Sequence, residues 1–372
     1  MAFPERAGAT GERRMNPMRQ REAFARLKRA VFEDYSYRDL RGVDWKERFR
    51  RFGPRLRASG TARRFAFEAA GLLSAAKDIH LWLRVKGEIV PTFRRCVQRN
   101  VAAHLLPALV PEWREHGAAG PGADGLARPP ALVMSGRFAD GIAYLCIRGW
   151  PAGAARRLRP AYRVLSQAAA LGRGIIIDVR ANGGGSEPLA ARFAGCFVEQ
   201  PVCYAKHLRR SGGRLTGPFE RWVKPNRRGP RHRGRVAVLV GPGTVSSCES
   251  FVLMMRQVPG CKLIGQPTAG ASGNPKPVGL GNGVVVFVPS WQDLDLDGRR
   301  LEGRGIAPDI EVRPRFPRNA ARRGASVEGR CLVASTPDTR HSSSDPVLAA
   351  ALKFLRRQSP RSDSRRGHLC CT

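Results

Sequence analysis

Twice in the second half of the chain an unbroken apolar run gives way to a Gly-rich turn and then to a helix-like stretch. GRGIIIDVR leads into NGGGSEPLAARFAGCF by residue 197, and RVAVLVG leads into PGTVSSCESFVLMMRQ over residues 235–257. A short apolar run without polar alternation reads as a strand covered on both faces, and the helix after it supplies one of the covers. The alternation begins at residue 132, with FADGIAYLCIRGW as a strand and Ala154 to Leu171 as a helix. It continues through CKLIGQP and the strands around GVVVFVPSW. Such repetition restricts the chain to a layered α/β core.

Other segments have a different texture. Apolar positions at Phe24, Leu27, Val31 and Phe32, and a second stretch from Phe65 through Leu73, carry helical periodicity. They predict a small N-terminal helical domain over residues 20–95, preceded by a disordered start (1–19). The pattern turns extended within AAKDIHLWLRV, around His80. Residues 96–131 form a connecting segment that ends in the linker GAAGPGADGLARPP, and the α/β core spans 132–315. A basic, Pro-rich linker (316–344), a C-terminal helix in DPVLAAALKFLRR (345–357) and a disordered tail (358–372) complete the chain.

At 372 residues with 42% hydrophobic content the chain buries a sizeable core. Its formal charge of +35 favours acidic or polyanionic partners. Only nine of the 65 basic residues are lysine, and the charge is spread along the whole chain beside abundant Ala, Gly and Pro. No aromatic-rich basic motif accompanies it, which argues against a nucleic-acid binder. The nine cysteines include no C-x-x-C pair and no zinc spacing, so neither a metal nor a cofactor is expected. Cys146 and Cys196 lie inside apolar runs, as free thiols in a reducing compartment do. The first twenty residues hold no signal-like apolar stretch and no segment has the length of a membrane span, so a cytoplasmic protein is expected, or a periplasmic or extracellular one if an upstream signal is missing. Oligomeric state is not legible.

Chemistry concentrates in four segments. IIIDVRANGGG (175–185) sets three glycines after a buried strand, which suits close backbone approach and N–H groups aimed at an anion. It lacks both G-x-x-x-x-G-K-[ST] and G-x-G-x-x-G, so nucleotide binding loses support. GPGTVSSCE (241–249) brings serines to the start of a helix, where unpaired N–H groups stabilise an oxyanion. By itself such a serine is more often an N-cap than a nucleophile. IGQPTAGASGNP (264–275) is a loop of small residues beside that helix, and LEGRGIAPDIEV (301–312) is a turn carrying Glu302 and Asp309.

In this order the four segments resemble the C-terminal processing (tail-specific) serine peptidase family over roughly residues 135–315. Weaker similarity extends to FEDYSYRDLRGVDW, KDIHLWL and DPVLAAALKFLR. The resemblance implies a crotonase-like or Clp-protease-like α/β core and cleavage of polypeptides. Where relatives carry a catalytic lysine after P-T-x-G this chain has Ala271, and Lys276 lies five residues further on. It therefore looks like the tricorn-like branch, in which an N-terminal histidine is the base and a distant glutamate orients it, here His80 and Glu302. The nucleophile comes from Ser246, Ser247 or Cys248; relatives carry it three residues before the glutamate of S-x-x-E, which selects Ser246 with Glu249 as that glutamate. The N–H of Ser247 and that of Gly183 or Gly184 would form the oxyanion hole.

Bland readings stand beside these. A lone histidine next to an apolar stretch is most often structural, Asp178 suits a carboxylate that orders the glycine turn, and Glu249 suits a local cap. His104, His116, His207 and His232 are background. DLDLDG (293–298) opens like a calcium loop, but Arg304 stands where a bidentate glutamate is needed, so a hairpin turn is expected. About sixty residues separate His80 from the strand near Ile142, too few for a PDZ domain. Substrate selection would then fall to the helical region, the stretch from Val90 to Phe93 or the basic loop at 224–235, whose charge favours acidic peptides or free C-termini. Two alternatives remain, a non-catalytic member of the same fold that binds peptides or small apolar ligands, and a basic polyanion binder.

Overall fold

A computed structural model describes residues 15–95, 100–101, 103–116, 131–153, 155–313 and 344–357. The expected disordered start and tail, the Gly/Pro linker and the basic 316–343 stretch fall largely outside these, as do Cys96, Cys331, Cys370 and Cys371.

The chain opens with three capped amphipathic helices. Asn16 caps α1 (Pro17–Arg29), Asp44 caps α2 (Trp45–Arg57) and Thr61 caps α3 (Ala62–Leu73), each side chain accepting a first-turn N–H. Their apolar stripes bury Leu27, Phe49, Leu56, Phe65, Leu72 and Leu73. Strands β1 (Trp82–Val85) and β2 (Glu88–Pro91) follow, then α4 (Leu106–Leu109), β3 (Arg114–His116), β4 (Val133–Arg137) and β5 (Ala143–Ile147). The helix read over Ala154 to Leu171 is a 3-10 turn at 155–158 continued by α5 (Arg159–Ala170). Next come β6 (Ile175–Asp178), α6 (Glu187–Ala194), the long hairpin β7 (Val202–Ser211) and β8 (Arg214–Val223), and β9 (Val236–Val240). The chain then forms α7 (Ser247–Arg256), β10 (Cys261–Gly265), β11 (Pro275–Gly279), β12 (Val284–Pro289), β13 (Trp291–Leu294), β14 (Ile310–Glu311) and α8 (Pro346–Arg356).

A seven-stranded sheet in the order β14-β10-β9-β6-β5-β4-β3 is the centre of the layered α/β core, parallel from β14 to β5 and antiparallel at β4 and β3. The apolar runs belong to it because both faces are covered. Ile175, Ile177, Val236, Val238 and Val240 pack toward α5, α6 and α7, while Ile176, Ala237 and Leu239 pack toward α4 and α8. Each fully buried aliphatic side chain contributes on the order of 1.5–3 kcal/mol.

The second sheet, β11-β12-β1-β2, joins the two ends of the sequence. β12 pairs with β1 so that Trp82 lies opposite Phe287, and the two rings stack at 3.6 Å between centroids. α1, α2 and α3 close their core on Leu280, Val284, Val286 and Val288 of this sheet. The N-terminal helices and the α/β segment therefore share a core across residue 132. A third sheet, β13-β7-β8, leans on α7.

Candidate active site

The serine turn starts where β9 ends. Thr244 Oγ1 donates to Val179 O at 2.9 Å and Val245 N–H donates to Asn182 O at 3.1 Å, fastening the turn to the end of β6. Ser246 precedes the first residue of α7 with φ 61° and ψ −130°. A non-glycine residue at positive φ carries strain, and here it sets a half-buried serine at the mouth of the helix. Ser247 is 7% exposed with its Oγ buried and unpartnered, and Cys248 is fully buried with its thiol pushed up by desolvation. Of the three candidate nucleophiles, Ser246 is the most accessible.

Glu249 explains why a glutamate stands three residues after that serine. Its fully buried carboxylate accepts from Thr268 Oγ1 (2.6 Å), Gly270 N–H (2.8 Å), Ala271 N–H (2.9 Å) and Ser246 N–H (3.3 Å). Ser246 N–H also donates to Ala271 O at 3.0 Å. Thr268 Oγ1 in turn accepts Ile306 N–H at 2.8 Å, and Gly303 N–H donates to Gly270 O at 2.8 Å. The glutamate is thus a local cap and also the bolt that joins the serine turn to the P-T-A-G loop. Burial lifts it to about 7 despite these donors.

The glycine turn presses on the serine from the other side. Gly184 has φ 92°, and a Cβ there would fall 2.8 Å from Ser246 Cβ and 2.7 Å from Val245 O. Its N–H is spent on Asn182 Oδ1 at 2.9 Å, which removes Gly184 from the oxyanion donors in this state. Gly183 has open space beside it, and among the described residues neither its N–H nor that of Ser247 donates to a hydrogen bond. The N–H that follows Ser246 and one N–H of the glycine turn packed against it are thus unpartnered among the described residues.

His80 sits two residues before β1 and is 9% exposed. Its backbone N–H donates to Asp78 Oδ1 at 2.8 Å, and Asp78 Oδ2 accepts from Tyr35 OH at 2.9 Å. The imidazole Nδ1 is buried with no hydrogen-bond partner. Desolvation lowers His80 to about 4, so the ring is neutral at pH 7, the form that takes up a proton. Glu302 is nearly buried; Oε1 accepts from Arg41 at 2.8 Å and Oε2 from Ser272 N–H at 3.1 Å. Burial first, and then the neighbouring Asp78 charge, raises Glu302. Glu302 therefore lies beside the Asp78 turn on one side and the loop next to Ser246 on the other. No hydrogen bond joins the side chains of Ser246, His80 and Glu302 among the described residues.

Asp78, Tyr35, Tyr37, Arg41 and Ser272 belong to this cluster, and motif reading did not single them out. Four of them lie in the quoted stretches FEDYSYRDLRGVDW and KDIHLWL, so the resemblance there was their one signal. Lys276 lies elsewhere: it is exposed on β11, opposite Val288, with Asp34 near it. Ala271 is buried at the position of the absent lysine. Asp178 is structural, bound to Arg180 (2.7 Å) and Tyr144 OH (2.7 Å), and Arg180 reaches Asp345 at the start of α8 (3.0 Å). DLDLDG forms a hairpin turn closed by Asp295 and Arg299, while Asp293 is buried against Arg221. Among the described residues no group of three or more His, Cys, Asp or Glu could hold a metal ion, and no helix is long and apolar enough to cross a membrane.

Known proteins add to this geometry. A Parabacteroides merdae protein whose peptidase assignment is provisional has a similar structure, with TM-score 0.66 and 21% identity over 91% of this chain and 98% of that one. The photosystem II D1 C-terminal processing protease aligns with TM-score 0.51 and 14% identity, over 80% of this chain and 94% of that one. Mature CPAF in complex with lactacystin aligns with TM-score 0.53 and 12% identity, over 79% and 94%. At such identities these likenesses speak for the layered α/β fold. Against curated proteins the sequence finds no match. The model of peptidase family S41 matches residues 141–312, which hold all four motif segments. Over those residues the chain is similar to peptidase family S41, which supports the resemblance to the C-terminal processing peptidases.

Proposed function

We propose that the chain is a serine endopeptidase in which Ser246 is the nucleophile, His80 the general base and Glu302 the group that orients the imidazole. The observation that carries this reading is the strained, half-buried Ser246, which precedes the unpartnered N–H of Ser247 and packs against the glycine turn that holds the unpartnered N–H of Gly183. His80 takes the Ser246 proton as Oγ attacks the peptide carbonyl, and the two N–H groups receive the oxyanion. Collapse expels the amine, which takes the proton from the imidazolium. Water, deprotonated by the same ring, then releases the acyl group and restores Ser246. Polypeptide substrates follow from the family.

A fluorophosphonate probe tests the assignment. Labelling mapped to Ser246 and abolished by both Ser246→Ala and His80→Ala is expected. Absence of labelling on folded protein would favour a non-catalytic peptide binder, the reading to which the unpartnered Nδ1 of His80 lends support.

A further inference from the structure

Between α1 and α2 the chain runs through Tyr35, Tyr37 and Arg41, and all three side chains reach the candidate site. Tyr35 OH holds Asp78 Oδ2 at 2.9 Å, and Tyr37 OH meets Ser272 Oγ at 2.9 Å. Arg41 reaches furthest. Its guanidinium donates to the carbonyls of Ala76 and, at 3.4 Å, of Lys77, and to Glu302 Oε1 at 2.8 Å. The two carbonyls end the turn that leads into Asp78 and His80, a turn that closes with Lys77 at φ 48°. One planar cation thus spans the segment carrying the base and the turn carrying its orienting carboxylate.

Resting on the catalytic reading above, we propose that Arg41 is a positioning residue that clamps the His80 segment to the Glu302 turn and so sets where the Glu302 carboxyl stands relative to the His80 imidazole. The other surroundings of Glu302 oppose its charge. Asp78 faces it from the base segment and Glu249 from α7, and both carboxylates disfavour its charge. Asp293 of β13 bears on the neighbouring Tyr37. Tyr35 and Tyr37 are neutral phenols, and His80 is held neutral by burial. Arg41 is the cation whose charge favours ionised Glu302. Glu302 is nonetheless raised to about 8, so its carboxyl becomes a full counter-charge to an imidazolium only toward higher pH, and Arg41 limits how far that point is displaced.

The test uses the full chain with Arg41→Gln, which keeps donors without charge, and Arg41→Lys, which keeps charge without the fork. Two readouts are taken, the pH profile of fluorophosphonate labelling at Ser246 and the carboxyl carbon titration of Glu302 by NMR, assigned with Glu302→Gln. Arg41→Gln is expected to slow labelling about 10- to 100-fold, the effect of losing one charge-assisted hydrogen bond. It should also move the acid limb and the Glu302 titration to higher pH. Arg41→Lys should restore the position of the limb and part of the rate. Equal limbs and titrations in wild type, Arg41→Gln and Arg41→Lys would overturn the role of Arg41 while leaving Ser246 labelling intact. Absent labelling of wild type would overturn the catalytic reading, and with it the positioning role, whatever the titration shows. If Arg41→Gln does not fold, a titration of Glu302 in Arg41→Lys that departs from wild type by more than one pH unit also overturns the proposal, since the charge is retained there.

Discussion

Gly184 and Glu249 show how little freedom the serine turn has. At Gly184 a methyl group meets Val245 O at 2.7 Å and Ser246 Cβ at 2.8 Å, and the backbone is at φ 92°. Gly184→Ala should therefore lose about 1–3 kcal/mol of stability and push Ser246 out of register, so that fluorophosphonate labelling falls more than thermal stability does. Unchanged labelling with an unchanged melting temperature would show that the two turns are not in contact. Glu249→Gln turns an amide NH2 toward donors that now share a carboxylate, and one unsatisfied buried donor costs about 1–3 kcal/mol. The pH dependence has a definite sign. The folded state holds a proton on Glu249 up to about 7, whereas an unfolded chain releases it in the ordinary carboxylate range. Stability from this group therefore falls as pH rises between those limits, and Glu249→Gln removes that slope. Urea unfolding at pH 5 and pH 7 should show a gap between wild type and variant that narrows at the higher pH.

At the scale of elements, α8 is held by charge as well as by apolar packing. Asp345 caps the helix through Val347 and Leu348 N–H at 3.0 Å, and the same carboxylate binds Arg180, which is fully buried between Asp345 and Asp178. Arg180→Met would leave two buried carboxylates without their cation, at a cost of about 3–5 kcal/mol. Denaturant titration should register that loss, and limited proteolysis should find new cleavage within residues 346–357. A loss below about 1 kcal/mol would mean that apolar contacts of Val347, Leu348 and Ala351 hold the helix alone.

Over the whole molecule, the N-terminal helices are not separable from the sheet they cover. Deletion of residues 1–95 removes β1 from the middle of a four-stranded sheet and exposes Leu280, Val284, Val286 and Val288. The remaining chain should lose near-UV circular dichroism and cooperative unfolding. A cooperative transition in the fragment would show instead that the seven-stranded core is self-sufficient. The segments carrying Tyr35, Tyr37 and Arg41 and carrying Asp78 and His80 both rest on this shared core, and Tyr37 meets Ser272 in the loop beside Ser246.

Strand–helix alternation and the four motifs were readable from local chemistry. A buried strand needs uninterrupted Ile and Val, a turn at positive φ needs glycine, and a helix start needs a capping residue, so IIIDVR, NGGG and GTVSSCE mark the core strands and the turns that meet at Ser246. The pairing of β1 with β12 could not be read in the same way, since Trp82 and Phe287 are 205 residues apart and either strand alone is compatible with many partners. The same holds for the hydrogen bond of Arg41 to Glu302 and for the Gly184 N–H being taken by Asn182 while that of Gly183 is left unpartnered among the described residues. These depend on which side chain and which N–H are left facing one another once distant segments pack, and hydrogen-bond competition of that kind has no periodicity in one dimension.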